Sequence, residues 1–107
     1  MFEIVALKAD IQPKNQKVSI GSNLIINCSV SGHPIDSINW FKNGQPILFD
    51  GHKFKLLTNK IMAIKSIEAK DDGIYQCLVS NQYEDIQSST FISIACESSN
   101  HILVNLM

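Results

Sequence analysis

Asp71 and Asp72 are the first residues to suggest chemistry, since adjacent carboxylates are the usual material of a metal site or an acid–base pair. They lead straight into the alternating run Gly73-Ile74-Tyr75-Gln76-Cys77, and successive side chains entering a strand point to opposite sides. A shared ion or proton is therefore not expected, and a structural role is. His33, His52 and His101 stand at no spacing that places two imidazoles on one metal; each follows a turn or lies in the tail and reads as an exposed histidine. No nucleophile elbow, phosphate-cradling glycine loop or zinc spacing occurs. The chain is read as a non-enzyme that needs no metal and no cofactor.

The elements that would position these side chains are strands. Alternation of apolar and polar residues predicts them over 17–20, 24–30, 37–42, 46–49, 53–57, 61–67, 74–80 and 86–94. Gly21-Ser22-Asn23, Gly32-His33-Pro34, Asn43-Gly44, Asp50-Gly51 and Thr58-Asn59 separate them as turns. Pro13, ahead of the first strand, suits a sheet edge, where no ladder N–H is needed. The inward sets are Leu24, Ile26, Cys28 and Val30; Ile38 and Trp40; Met62, Ile64 and Ile67; Tyr75, Cys77 and Val79; and Ile92 with Ile94.

A length of 107 residues suits one domain, and 45% hydrophobic with 18% charged residues can fill a core. The net charge of −1 argues against nucleic acid or an anionic membrane surface, which demand clustered Lys and Arg. No stretch reaches the ~18 apolar residues of a membrane span. The opening Met1-Phe2-Glu3-Ile4-Val5-Ala6-Leu7 lacks a basic region, so a secretory signal is expected outside the given sequence, which reads as a piece of a longer protein.

Trp40 lies twelve positions after Cys28, Cys77 lies forty-nine after it, and Asp71-Asp72-Gly73-Ile74-Tyr75-Gln76-Cys77 closes the series. This spacing resembles an immunoglobulin domain. The segment from Ser31-Gly32-His33-Pro34 through Trp40-Phe41-Lys42-Asn43-Gly44, with the run up to Asn81, resembles I-set domains of cell-adhesion molecules, most closely the arthropod Dscam-type proteins. The resemblance implies an all-β, two-sheet antiparallel sandwich with ABED and A′GFCC′ sheets. It also implies a Cys28–Cys77 bridge between them, Trp40 packed on that bridge, Tyr75 at the E–F corner, and Asp71 paired with Lys53 or, second, Lys55. Too few residues separate strands C′ and D for the extra strand of a variable domain. The domain is expected over 11–95, with 1–10 as an N-terminal flank and 96–107 as a tail outside the fold carrying Cys96 as a free thiol. A bridge closing a loop of about 50 residues adds roughly 4 kcal/mol and persists in oxidising compartments, which implies an extracellular setting. The alternative is a cytosolic domain with reduced thiols.

The resemblance further implies recognition at cell surfaces, with an identical copy paired antiparallel or another immunoglobulin protein as partner. Alternation forces apolar residues outward on both sheets: Ile25, Ile61 and Ala63 among Asn27, Ser29 and Lys65 on ABED, and Phe41, Leu78 and Phe91 beside Ile74 and Gln76 on GFC. Single exposed apolar residues are ordinary, whereas a contiguous patch marks a binding surface. The ABED set is favoured, because its strands B and E are neighbours and because the resembling family uses that face. Such an interface buries at most about 800 Å² per partner and is weak singly. Asn27-Cys28-Ser29 is a glycosylation sequon on the same sheet. Two other readings stay open: a structural spacer domain of a scaffolding or muscle-type protein, and a heterophilic receptor or immune-type binder using the loops 33–36 and 82–85 around Tyr83.

Overall fold

Alternating apolar residues form nine strands in the computed structural model, which describes residues 3–95. They are β1 Val5–Gln12, β2 Gln16–Ser19, β3 Leu24–His33, β4 Ser37–Lys42, β5 Gln45–Pro46, β6 Phe54–Thr58, β7 Ile61–Ile64, β8 Gly73–Ser80 and β9 Asp85–Ala95. A short 3-10 turn, Ala69–Asp71, precedes β8. One sheet has the order β1-β3-β7-β6 and the other β2-β9-β8-β4-β5, which are the ABED and A′GFCC′ sheets of the expected sandwich. All pairings are antiparallel except that of β2 with β9. The inner faces meet in a core of Leu7, Ile11, Ile26, Cys28, Trp40, Met62, Ile64, Ile67, Tyr75, Cys77, Val79 and Ile92.

Cys28 and Cys77 are disulfide-bonded across the core, with Cα atoms 6.5 Å apart. Trp40 is buried beside them, opposite Cys77 in the β4–β8 ladder, and its Nε1–H donates to the Asn59 carbonyl oxygen at 3.0 Å. Asp71 is also buried, and its Oδ2 accepts from the Lys53 ammonium at 2.7 Å and the Glu68 backbone N–H at 2.8 Å. Lys53, not Lys55, is therefore the partner of Asp71. Glu68 reaches the same ammonium at 2.8 Å, a contact that sequence reading missed because nothing in its spacing marks it.

The first eight-residue strand corrects the expected boundary at Ile11. Val5–Gln12 pairs along β3, with Leu7 and Ile11 in the core, so the stretch read as a flank contributes an edge strand. Gly32 explains why the turn expected at Gly32-His33-Pro34 instead continues β3 to His33. A Cβ at Gly32 would stand 2.3 Å from the Ala6 carbonyl oxygen, so glycine lets β1 cross closely there. Strand E is shorter than the expected 61–67, ending at Ile64, although Ile67 is buried as predicted. The C′ strand is Gln45–Pro46 rather than 46–49.

β1 and β2 are one descending stretch that changes sheets at 13–15. Buried Thr90 fastens the crossing: its hydroxyl donates to the Pro13 carbonyl oxygen at 2.5 Å and accepts the Asn15 N–H at 2.8 Å. β1 enters beside His33 at the end bearing the β3–β4 and β8–β9 loops, and β9 leaves beside Ser19 at the opposite end. Cys96 and the rest of the expected tail lie outside the described residues.

Candidate functional site

With both inner faces committed to the core, contact with another molecule falls to the outer faces, the edges and the loops. The grid of side chains on each outer face follows from the ladder registers and the two-residue period of a strand.

On the β1-β3-β7-β6 sheet, Ile25 stands opposite Ala63 and Asn27 opposite Ile61. Lys55 flanks Ala63 on the other side, and Gln12 flanks Asn27. Ile25 is 56% exposed, whereas Ile61, Ala63 and Asn27 are half-buried. The five expected interface residues, Ile25, Asn27, Ile61, Ala63 and Lys65, thus do share one region, but its apolar part is three side chains wide. Lys55 and Lys65 border it, and Lys8 and Asp10 continue the face along β1. Asp10 is already engaged: hydrogen bonds from Gln12 and from Lys14, whose ammonium lies at 3.2 Å, hold its carboxyl below the usual range. This face therefore carries free positive charge. The Asn27 side chain donates to Ser29 Oγ at 3.4 Å, within its own sequon.

The β2-β9-β8-β4-β5 sheet differs in kind. Ile74 stands opposite Phe91, Leu78 between Asn39 and Gln87, and Gln76 between Phe41 and Ser89, with Pro46 beside Phe41. Ile74 and Phe91 are 47% and 48% exposed. Ser37, Ser80 and Ser93 complete the face, and Gln76 and Gln87 are hydrogen-bonded to each other across it. None of these side chains is charged. The charges sit at its ends: Asp85 opens β9 beside the β3–β4 loop, and Lys17 stands opposite Ser93 at the far end. Sequence reading found the apolar members of this face but not its lack of charge, a property visible only once five strands are aligned.

Asn43 was also missed. Its side-chain oxygen accepts the Ile74 N–H at 2.9 Å, squaring the β4 end against the start of β8. A Cβ at Gly73 would meet that oxygen at 2.7 Å, so glycine makes room for it. Among the described residues no group of three or more His, Cys, Asp or Glu is placed to hold a metal ion, and no helix is long and apolar enough to cross a membrane.

The cell adhesion molecule Dscam1 of Drosophila melanogaster is 32% identical over 88 residues, which cover 82% of this chain and 4% of that protein. Human hemicentin-1 is 38% identical over 84 residues, covering 78% of this chain and 2% of that one. The crystal structure of the N-terminal four immunoglobulin domains of Dscam1 isoform 4.44 superposes with a TM-score of 0.74 at 30% identity, over 86% of this chain and 21% of that one. The chain thus spans only a small part of the relatives it matches. Residues 7–94 match the immunoglobulin I-set domain along their length, and the chain belongs to that family.

Proposed function

We propose that this chain is an extracellular recognition domain of a cell-adhesion protein and that it pairs with an identical copy through the outer face of one sheet. The observation that carries this reading is the pair of outer faces, both exposing large apolar side chains on a scaffold stapled by Cys28–Cys77. An internal bridge and a salt-linked corner hold each face rigid, so little ordering entropy is lost when two faces meet. Similarity to adhesion proteins supports the class of partner, a protein at another cell surface. The bridge supports an oxidising setting. One contact of this size is weak, and tethering many copies at a cell junction multiplies it.

Sedimentation of the purified domain tests the reading. A weight-average mass that climbs towards twice the monomer with concentration is expected. Beads coated with the domain should aggregate with each other and not with beads carrying a different I-set domain. A strictly monomeric domain at millimolar concentration, with inert beads, overturns it.

A further inference from the structure

We propose that Asn27 is an N-glycosylation site and that its sugar is attached before the Cys28–Cys77 bridge closes, so that the mature domain carries glycan and bridge on adjacent residues of one strand. This rests on the extracellular reading above, which supplies the secretory compartment, and adds a modification and its order. Asn27-Cys28-Ser29 is the only Asn-X-Ser/Thr triplet in the chain. Asn27 and Ser29 stand on the outer side of β3, half-buried and exposed, while Cys28 between them points into the core. The Asn27 side-chain amide makes one long hydrogen bond, to Ser29 Oγ at 3.4 Å. A sugar on Nδ2 therefore displaces no contact that the core or the ladders need.

The folded sheet has room for the sugar. β7 ends at Ile61, opposite Asn27, so beyond that point β3 is laddered to β1 alone. The outward residues there are Ser29 and Ser31, opposite Asp10 and Lys8. These four help to line a shallow cleft of about 360 Å³, a size that holds a small ligand, and the Asn27 amide reaches along the strand towards it. Two hydroxyls, an ammonium and a carboxylate match the hydroxyls of a sugar ring.

The order follows from the place of the strand. Asn27 pairs with Gln12 on one side and Ile61 on the other, inside the sheet, so a transferase cannot draw the folded triplet into its own site. Transfer therefore acts on the unfolded chain. Nδ2 bonds to the anomeric carbon of a lipid-pyrophosphate-linked oligosaccharide, the carbon–oxygen bond to pyrophosphate breaks, lipid pyrophosphate leaves, and the amide gives up one proton. Cys77 follows Cys28 by 49 positions. At about 5–20 residues synthesised per second, that delay is roughly 2–10 s, during which the triplet is unpaired and Cys28 lacks its native partner.

Translation of the full chain behind a cleavable secretory signal, with endoplasmic-reticulum vesicles present, tests the site. Protease-protected wild type should run as a slower band that peptide N-glycosidase collapses, and Asn27→Gln and Ser29→Ala should each lose that band. The readout is a denaturing gel, so a variant that fails to fold is still scored. Protected wild type that stays bare overturns the site. For the order, the full chain made without sugar and oxidised is offered solubilised oligosaccharyltransferase with its lipid-linked donor. It should stay bare, and should accept sugar at least tenfold faster once reduced and alkylated, which keeps the core from closing over Cys28. Equal uptake by the two forms overturns the order. In protein secreted from cultured cells, the non-reduced tryptic digest should hold the sugar-bearing Asn27 peptide still joined to the Cys77 peptide. Secreted protein with a closed bridge and bare Asn27 overturns the site while the extracellular reading stands. A chain retained inside the cell with Cys28 and Cys77 as free thiols overturns that reading instead.

Discussion

The Tyr75 hydroxyl donates to the backbone carbonyl oxygen of Asp71 at 2.6 Å, tying the start of β8 to the corner four residues upstream. The ring is buried and the Lys42 ammonium lies 6.0 Å from its centroid, so phenol and carbonyl satisfy each other out of water. Tyr75→Phe leaves that carbonyl unpaired and is expected to cost about 1–3 kcal/mol, read from urea denaturation. An unchanged midpoint would show that water replaces the hydroxyl.

Alkali should unfold the domain by way of the same corner. Burial, with the charges of Asp71 and Asp72, raises the Tyr75 pKa above its usual 10.0. Burial lowers that of Lys53, but the hydrogen bonds its ammonium donates to Asp71 and Glu68 outweigh it and raise the group above 10.5. In both cases the folded chain keeps a proton that the unfolded chain has released. Stability is therefore full below about pH 10 and falls as pH rises beyond it. Melting temperature followed from pH 9 to 11 should decline past pH 10, less steeply in Tyr75→Phe.

Acid acts on Glu68. Its carboxyl is lowered chiefly by the hydrogen bond from Lys53, then by the charges of Lys53 and Lys70, so its contribution is present above the usual 4.5 and is lost as pH falls through the folded value. Glu68→Gln should flatten the acid limb of the same melting profile and also make the decline past pH 10 shallower, because Glu68 helps to raise Lys53.

Removing Asp71 is more damaging than removing Glu68. Asp71→Ala removes the buried carboxylate from the Lys53 ammonium, which keeps Glu68 and the Lys65 and Ser66 carbonyl oxygens, and leaves the Glu68 N–H unpaired, for an expected loss of about 1–3 kcal/mol. Thermal melts of the two alanine variants would show the order.

Gly32→Ala is expected to lift the first half of β1. The residue has φ of +99° and no space beside Ala6, so a methyl must displace backbone rather than a flexible side chain. Faster amide exchange at Leu7, with β8 unaffected, is the predicted signature.

Most of the scaffold was legible in the sequence, because Cys28, Trp40, Tyr75 and Cys77 occupy positions that the two-residue period and the sandwich core both demand. Ser37–Lys42 appears with its predicted bounds for that reason. β1 was not, because an edge strand needs only Leu7 and Ile11 inside and its pairing depends on a glycine twenty-five positions away from Leu7. The apolar members of both outer faces could be named from alternation alone. Their relative merit could not, because charge balance on a face depends on which strands become neighbours, as Lys55 beside Ala63 and Lys17 beside Ser93 illustrate.

The disulfide also sets how far the domain can stretch. Tension applied through β1 and β9, which leave at opposite poles, loads the β1–β3 and β2–β9 ladders in shear. Once they part, the 49-position segment between Cys28 and Cys77 stays locked, and only chain outside it pays out, at about 3.5 Å per residue. A junction built from such domains would lengthen in short, bounded steps under load.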